Sequence, residues 1–249
     1  MEDTEPGRSV PVHFEQLNQT QIAHYPDNIR ALLPTYDGLF SVINAYLQPL
    51  IPVNAKVLVV GAGGGMELAA LGQANEAWRF TAVDPSLPML ALAQQVAADA
   101  GVLDRVTFCA STLQDVVDDT PVQASYDAAT CVLVLHFLPD EAKRALLRDI
   151  AARLKPGAPV VIVSTFGEMD QSAVAMHARA LEHHAAAATG HAKLALQLRR
   201  NIESSDFVSE DRLMALLDEA GLVDPQRFFQ TYCIGGWLAW KQRESHGSP

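Results

Sequence analysis

The spacing of the apolar positions along this chain changes after residue 52, and the change predicts two kinds of region. From Phe14 to Leu50, apolar residues recur at helical intervals in segments interrupted by Pro26, Pro34 and Pro49, which predicts two or three short helices. Beyond them, short continuous apolar runs alternate with helical stretches. Strands separated by helices favour a parallel sheet with helices on both faces.

The predicted elements of the second region make one sheet. Helices are expected at Met66–Gln73, Ser86–Ala100, Asp140–Leu154 and 209–221. Strands are expected at Lys56–Val60, Trp78–Val83, Arg105–Cys109, Asp127–Leu133, Pro159–Ser164, Arg227–Cys233 and Trp237–Lys241. The last two strands flank Gly235-Gly236, a spacing typical of a hairpin, so the sheet is expected to end in an antiparallel pair. The predicted fold class is α/β: a doubly wound, mostly parallel, seven-stranded sheet of the Rossmann-like kind.

These patterns divide the chain into a cap and a sheet domain. Residues 13–52 are predicted to form an N-terminal helical cap, and residues 53–243 the sheet domain. The Ala-rich stretch at 167–205 lacks the strand pattern, which predicts a helical insertion. Residues 1–12 and 244–249 are expected to be disordered tails. The first of these is acidic and contains Pro and Gly, unlike a signal peptide, so a cytoplasmic location is expected.

Charge and composition narrow the classes of partner. Lys and Arg number 18 against 29 Asp and Glu, and the net charge of -11 disfavours nucleic acid as a partner. No apolar run approaches the roughly 18 residues of a membrane-spanning helix, so no membrane association is expected. Cys109, Cys131 and Cys233 are far apart and form no CxxC pair, as is typical of thiols in a reducing compartment. The oligomeric state stays open, with a homodimer as one option.

A glycine-rich loop follows the first predicted strand. Gly61, Gly63, Gly64 and Gly65 leave the backbone free of side chains beside the start of a helix, so a ligand can lie directly on it. The dinucleotide fingerprint requires a further glycine for close helix packing, at the position that Met66 occupies here. This substitution disfavours an NAD-dependent dehydrogenase.

A carboxylate ends the second predicted strand. In doubly wound sheets, ligands bind beyond the carboxyl ends of the strands, where the strand order reverses. There, Asp84 can accept hydrogen bonds from both hydroxyls of a ribose. Two such bonds at about 1.5 kcal/mol each predict that Asp84→Ala weakens binding of a nucleoside about a hundredfold.

Four segments carry a resemblance to a known family. They are Val57-Leu-Val-Val-Gly-Ala-Gly-Gly-Gly65, Ala82-Val-Asp-Pro-Ser86, the strand and loop at 126–138, and Leu154-Lys-Pro-Gly157. In this order, they resemble the class I S-adenosylmethionine-dependent methyltransferases. The resemblance implies that S-adenosylmethionine is the cofactor. It also implies that the glycine loop holds the methionine part, through Gly61, Ala62, Gly63 and Gly65.

The same resemblance implies the contacts to the nucleoside. Asp84 would hold the ribose and Pro85 would flank the adenine. Where the family often has Gly-Asp after the third strand, this chain has Ser111-Thr112. Thr112 is therefore the candidate acceptor for the adenine amino group, Leu113 would cap the adenine plane, and Asp115 is a second candidate acceptor. Cys131, on the fourth strand, is the last predicted cofactor contact.

Methyl transfer makes few demands on catalytic side chains. Alignment of two reactants supplies roughly 7 to 11 kcal/mol of the barrier, so a general base is optional. His136 follows the fourth strand, where substrate and methyl group meet in the family, and is the candidate base or substrate contact. The alternative for His136 is a hydrogen bond to backbone at the start of a helix. A catalytic role predicts that His136→Ala lowers turnover and leaves cofactor affinity unchanged.

Several side chains are candidates for substrate contact. Tyr25, Tyr36 and Phe40 could form an apolar lid, with ordinary packing against the sheet as the alternative. Arg199 is the candidate for binding an anionic group. The amino-terminal helices, with Pro34-Thr-Tyr36, and the last seventy residues are also similar to the branch containing carboxy-S-adenosylmethionine synthase. In that branch, an arginine of the inserted region binds the added carboxylate. His177, His184 and His191 recur every seven residues rather than at the i, i+4 spacing of helical metal sites, so no metal is expected.

The resemblance therefore predicts methyl transfer from S-adenosylmethionine to a small molecule. Three alternatives stay open: modification of the cofactor in the manner of carboxy-S-adenosylmethionine synthase, an NAD-dependent dehydrogenase, and a regulatory module that binds the cofactor without catalysis.

Overall fold

The computed structural model describes residues 24–116, 125–167, 171–191, 195–196 and 208–243. Its strands are β1 (Lys56–Val60), β2 (Arg79–Val83), β3 (Val106–Cys109), β4 (Ala128–Val132), β5 (Pro159–Thr165), β6 (Leu222–Thr231) and β7 (Ile234–Lys241). Its α-helices are α1 (Tyr25–Leu32), α2 (Tyr36–Leu47), α3 (Met66–Ala74), α4 (Leu87–Asp99), α5 (Asp140–Arg153), α6 (Gln171–Thr189) and α7 (Glu210–Glu219).

The strands form one sheet in the order β3-β2-β1-β4-β5-β7-β6. β1 pairs in parallel with both β2 and β4, and β7 lies antiparallel between β5 and β6. The predicted seven-stranded, mostly parallel sheet with an antiparallel end is confirmed. Because the strand order reverses between β1 and β4, a crevice opens beyond the carboxyl ends of these two strands.

Burial explains the continuous apolar runs in the sequence. Four of the five residues of β1 are buried, and six of the seven residues of β5, because helices cover both faces of the sheet. One face carries the core that includes Leu39 of α2, Leu68 of α3 and Ala93 of α4. The other carries the core that includes Leu147 of α5 and Leu216 of α7. The two cores hold the sheet rigid beneath its loops.

The turn of the terminal hairpin lies outside the predicted position. Gly235 and Gly236 lie within β7 and not in the turn, which falls after Thr231, where Tyr232 has a φ of 49°. The reason is packing: a Cβ at Gly235 would lie 2.8 Å from a ring carbon of Phe166. The glycine pair marks the close approach of an aromatic ring, not a chain reversal.

The cap is helical where the structure describes it. Pro26 lies in the first turn of α1, where proline is well tolerated, so it begins a helix rather than interrupting one. α6 lies in the predicted insertion and packs against α1. The domain boundaries at residues 12, 52 and 243 stay predictions. Among the described residues, no helix combines the length and the apolar character that crossing a bilayer requires.

Candidate functional site

Two connected cavities lie beyond the carboxyl ends of β1, β2 and β4. The first has a volume of about 280 Å³ and the second about 240 Å³. Gly61, Pro85, Val134 and Leu138 line both, so these four residues form the passage between them. The pair occupies the switch point of the sheet, where the sequence predicted a ligand.

The glycine loop forms one wall of the first cavity. Gly61 donates its backbone N–H to the Val83 carbonyl at 2.8 Å, which ties the loop to the end of β2. Gly65 has a φ of 79°, and a Cβ there would lie 2.6 Å from the Cα of Ala93 on α4. Gly65 therefore allows α3 and α4 to approach closely. In the dinucleotide fingerprint, the glycine that allows close packing of the helix stands one position later. Met66 does not disturb this packing.

Asp84 is buried at the end of β2 and lines the first cavity. Its two carboxylate oxygens accept hydrogen bonds from the backbone N–H groups of Ser86, at 2.8 Å, and Gly63, at 2.9 Å. Burial raises the pKa of Asp84, and these two hydrogen bonds oppose the rise. Each oxygen keeps further lone-pair capacity, so the carboxylate can accept two hydroxyl donors from a ligand in addition.

The second cavity contains the predicted adenine contacts. Thr112 and Leu113 line it, and Leu113 is held because its carbonyl accepts a hydrogen bond from Arg153 at 2.8 Å. The Thr112 hydroxyl donates to Asp115 at 2.6 Å. Asp115 is not among the lining residues of either cavity, and it contacts Thr112 through this hydrogen bond.

The sequence analysis missed Asp149, which lines the second cavity from α5. Ala142, Ala145 and Leu146 line it from the same helix. These four positions have the i, i+3, i+4, i+7 spacing of one helix face, which was a readable signal.

The cap contributes aromatic side chains to the first cavity. Tyr25, Tyr36 and Phe40 line it, and the rings of Tyr36 and Phe40 meet edge to face with centroids 5.0 Å apart. Burial, and to a smaller degree the charge of Asp84, raise the pKa of Tyr25 to about 12, so its phenol is protonated at neutral pH. Burial likewise raises the pKa of Tyr36. The predicted tyrosines therefore bring two phenol groups to the cavity.

The sequence analysis also missed Glu67, a buried carboxylate in the first turn of α3. It lines the first cavity, and its Oε1 has no hydrogen-bond partner among the described residues. Burial raises the pKa of Glu67 to about 7, and the nearby Thr130 hydroxyl opposes the rise. Its only signal in the sequence was an acid two residues after the glycine loop in an otherwise apolar helix start.

Two of the predicted residues, His136 and Cys131, line neither cavity, and a third lies outside the described residues. His136 is not among the lining residues of either cavity; its ring lies 4.0 Å from that of Phe137, which lines the first. Burial, followed by the charge of Lys143, lowers the pKa of His136 to about 4. Cys131 is fully buried in β4 and lines neither cavity; burial and the charge of Glu67 raise the pKa of its thiol. Arg199 lies outside the described residues.

Among the described residues, no group of three or more His, Cys, Asp or Glu side chains is arranged to hold a metal ion. Of the histidines spaced by seven, His191 is exposed, and His177 and His184 are half-buried.

One segment of the chain matches a known family model. Residues 57–157 match the family model described as a methyltransferase domain. This part of the chain is therefore similar to methyltransferase domains, and the chain has the fold of solved methyltransferases. The match spans β1 to the end of α5, and so includes the glycine loop, Asp84 and Asp149.

Relatives of the methyltransferase domain include two curated enzymes of different activity. Carboxy-S-adenosyl-L-methionine synthase of Pasteurella multocida is 26% identical over 87% of this chain and 89% of its own length. Ubiquinone biosynthesis O-methyltransferase of Xanthomonas axonopodis is 32% identical over 43% of this chain and 42% of its own length. The similarity to the carboxy-S-adenosylmethionine synthase branch thus extends over most of the chain.

Solved structures show the same fold. An O-methyltransferase family protein from Burkholderia thailandensis aligns with a TM-score of 0.64 at 15% identity, over 95% of this chain and 65% of its own. The magnesium protoporphyrin IX methyltransferase of Synechocystis, solved with S-adenosylmethionine bound, aligns with a TM-score of 0.57 at 17% identity, over 91% of this chain and 86% of its own. The chain thus spans just under two thirds of the Burkholderia protein and most of the Synechocystis one.

The residues present fit S-adenosylmethionine, the cofactor of this family. Asp84 offers a buried carboxylate with spare acceptor capacity beside the passage that joins the two cavities. The second cavity, lined largely by aliphatic side chains, suits a flat base, and Leu113 forms part of its wall. Because the glycines of the loop have no side chains, they leave space in the first cavity that larger residues would fill.

Proposed function

We propose that the chain transfers a methyl group from S-adenosylmethionine to a small-molecule acceptor, in the cytoplasm. The observation that carries this proposal is the pair of connected cavities at the switch point, with Asp84 beside the passage. A nucleoside fits the second cavity and the passage, which leaves the aromatic part of the first cavity for an acceptor. The net charge of -11 disfavours nucleic acid as that acceptor.

Binding and alignment are the main tasks of the side chains. When bound, the cofactor supplies an electrophilic methyl group on a positively charged sulfur. In the proposed site, Asp84 accepts the ribose hydroxyls, the loop from Gly61 to Gly65 lies against the methionine part, and Thr112 and Leu113 contact the adenine. Tyr25 and Tyr36 cover the acceptor and exclude water. Alignment of this kind supplies roughly 7 to 11 kcal/mol of the barrier.

Binding of the demethylated product, S-adenosylhomocysteine, tests the proposal. Calorimetry on purified apoprotein should register binding of S-adenosylhomocysteine and none of NAD. Asp104→Ala, which changes an exposed aspartate, serves as the control and should bind as wild type does. If NAD bound and S-adenosylhomocysteine did not, the chain would be a dehydrogenase or a different nucleotide-binding protein, and the proposal would be withdrawn.

His136 remains the predicted base or substrate contact. Its imidazole is neutral at pH 7, and its ring lies beside that of Phe137, which lines the first cavity. His136→Ala should then lower turnover at saturating acceptor and leave S-adenosylhomocysteine affinity unchanged. Unchanged turnover would remove His136 from the catalytic residues.

Modification of the cofactor is the second candidate, favoured by the synthase relatives that match 87% of the chain. A binding site for an added carboxylate requires a cation, and none of the described lining residues of the first cavity is Lys, Arg or His. Arg199 is the predicted cation for this role. Mass spectrometry of the co-purified nucleoside separates the two functions, because the synthase-like reaction leaves an extra carboxylate on the ligand.

A further inference from the structure

Glu67 is a carboxylate that the contacts within the protein leave incomplete. Its side chain is 5% exposed and lines the first cavity, and its Oε1 has no hydrogen-bond partner among the described residues. Buried polar atoms in folded proteins nearly always have a partner. A ligand that donates a hydrogen bond into the first cavity would supply one.

In the described part of the cavity lining, the titratable groups beside Glu67 are the carboxyl group of Asp84 and the phenols of Tyr25 and Tyr36. The charge of Glu67 contributes to the raised pKa of Tyr36 of α2 and of Cys131 of β4. The guanidinium of Arg30, which acts on Tyr36, is engaged by both carboxylate oxygens of Asp37 at 3.0 Å. No cation among these residues neutralises Glu67.

The remaining walls of the cavity also favour a cation. Four aromatic side chains line it: Tyr25, Tyr36, Phe40 and Phe137. The faces of aromatic rings attract ammonium groups, and a positive charge within about 4–6 Å favours the ionised form of a carboxylate. The carboxylate of a ligand, by contrast, would lie beside two acids, Asp84 and Glu67, and beside no basic side chain of the described lining. An anionic acceptor is therefore disfavoured, and an amine fits.

We propose that the methyl acceptor is an amine and that Glu67 binds its N–H group and receives its proton. The inference rests on the proposed function and names its substrate class. The Glu67 carboxylate takes one proton from the bound ammonium, which frees the nitrogen lone pair. As the new N–C bond forms, the C–S bond breaks and its electron pair stays on sulfur. The methylated product leaves as an ammonium ion, and Glu67 releases its proton to solvent.

Three probes of one shape and different charge test the inference: 2-phenylethylamine, 2-phenylethanol and phenylacetate. Each is titrated by calorimetry into protein saturated with S-adenosylhomocysteine at pH 8, where Glu67 is ionised and the amine is protonated. The amine should bind at least tenfold more tightly than the alcohol, and phenylacetate more weakly than both. Lowering the pH to 5.5 protonates Glu67 and should abolish the preference for the amine.

Glu67→Gln should remove the preference at pH 8 while S-adenosylhomocysteine binds as in wild type, which also shows that the variant is folded. The matched control is Glu76→Gln, which changes an exposed glutamate just beyond the same helix and should keep the preference. Equal binding of the three probes to wild type, or no binding of the amine, would overturn the inference. So would a tenfold loss of S-adenosylhomocysteine affinity in Glu67→Gln, which would assign Glu67 to the cofactor. Failure of wild type to bind S-adenosylhomocysteine at all would instead overturn the proposed function.

Discussion

The two cavities share four lining residues and differ in almost everything else. The second is walled mostly by aliphatic side chains and has one acid, Asp149, in its lining. The first has two acids, Asp84 and Glu67, and four aromatic side chains in its lining. The second cavity suits an uncharged base of fixed shape, whereas the first suits a polar or charged group.

The difference follows from which elements form each cavity. The loops after β1, β2 and β4 contribute to both cavities, but only the first is completed by the cap helices α1 and α2. The segment that matches the methyltransferase family model contains the loops after β1, β2 and β4, and the cap lies outside that segment. In the proposed function, the matched segment therefore binds the nucleoside, and the cap contributes to binding of the acceptor.

The largest effect is expected from Gly65→Ala, because it disturbs the helix pair that forms the floor of the first cavity. A Cβ at Gly65 would lie 2.6 Å from the Ala93 Cα, so the helices must separate. We expect the free energy of unfolding to fall by about 3 kcal/mol. Gly101→Ala is the control: Gly101 also has a positive φ but has nothing within 4 Å of an added Cβ, so a loss of only about 1 kcal/mol is expected. If urea denaturation gave the same loss of unfolding free energy for both variants, the positive φ of Gly65, and not its packing against α4, would be the reason that glycine is needed there.

Glu67→Gln is expected to stabilise the protein at neutral and basic pH. The pKa of Glu67 is about 7 in the folded state, against an ordinary value of 4.5, so its charge costs folding free energy once the pH exceeds 4.5. The gain in the free energy of unfolding should be absent below pH 4.5 and reach about 3 kcal/mol above pH 7. Denaturant titrations of wild type and variant at pH 4.5 and pH 8 measure it. A gain that did not depend on pH would contradict the burial of a charged Glu67.

Asp84→Ala should reduce affinity for S-adenosylhomocysteine about a hundredfold, which corresponds to two charge-assisted hydrogen bonds. Calorimetry with the complete nucleoside and with free adenine distinguishes the cavities. Because Asp84 lines the first cavity and not the second, the affinity for adenine should not change. A parallel loss for adenine would show that the variant has disturbed the loop as a whole.

The smallest effect is expected from Asp149→Ala, which removes the acid of the second cavity. A single hydrogen bond to the adenine amino group predicts a loss of about tenfold in S-adenosylhomocysteine affinity. The same variant should discriminate less between adenosine and inosine, since inosine lacks that amino group. Arg148→Ala, an exposed neighbour on the same helix, is the control. Unchanged discrimination would leave Thr112 as the contact to adenine.

Local signals in the sequence predicted most of the fold and about half of the candidate site. The glycine loop and Asp84 were readable because each directly follows a strand, and parallel strands end at the same edge of a sheet. Glu67 and Asp149 were not predicted, because the sequence does not show which helix face borders a cavity. Gly235 was assigned to a turn because a glycine pair has the same local signature in a turn and beneath an aromatic ring.

The sequence by itself determined the alternation of strands and helices, the backbone loop at Gly61 to Gly65, and the carboxylate one strand later. These features depend on the spacing of residues along the chain, which packing does not change. Only the tertiary structure decided that Glu67 is buried, that its Oε1 has no hydrogen-bond partner among the described residues, and that Tyr25 and Tyr36 line the same cavity. The burial of a charge depends on elements distant in the sequence, here α1, α2 and β4, which exclude water from one side chain of α3.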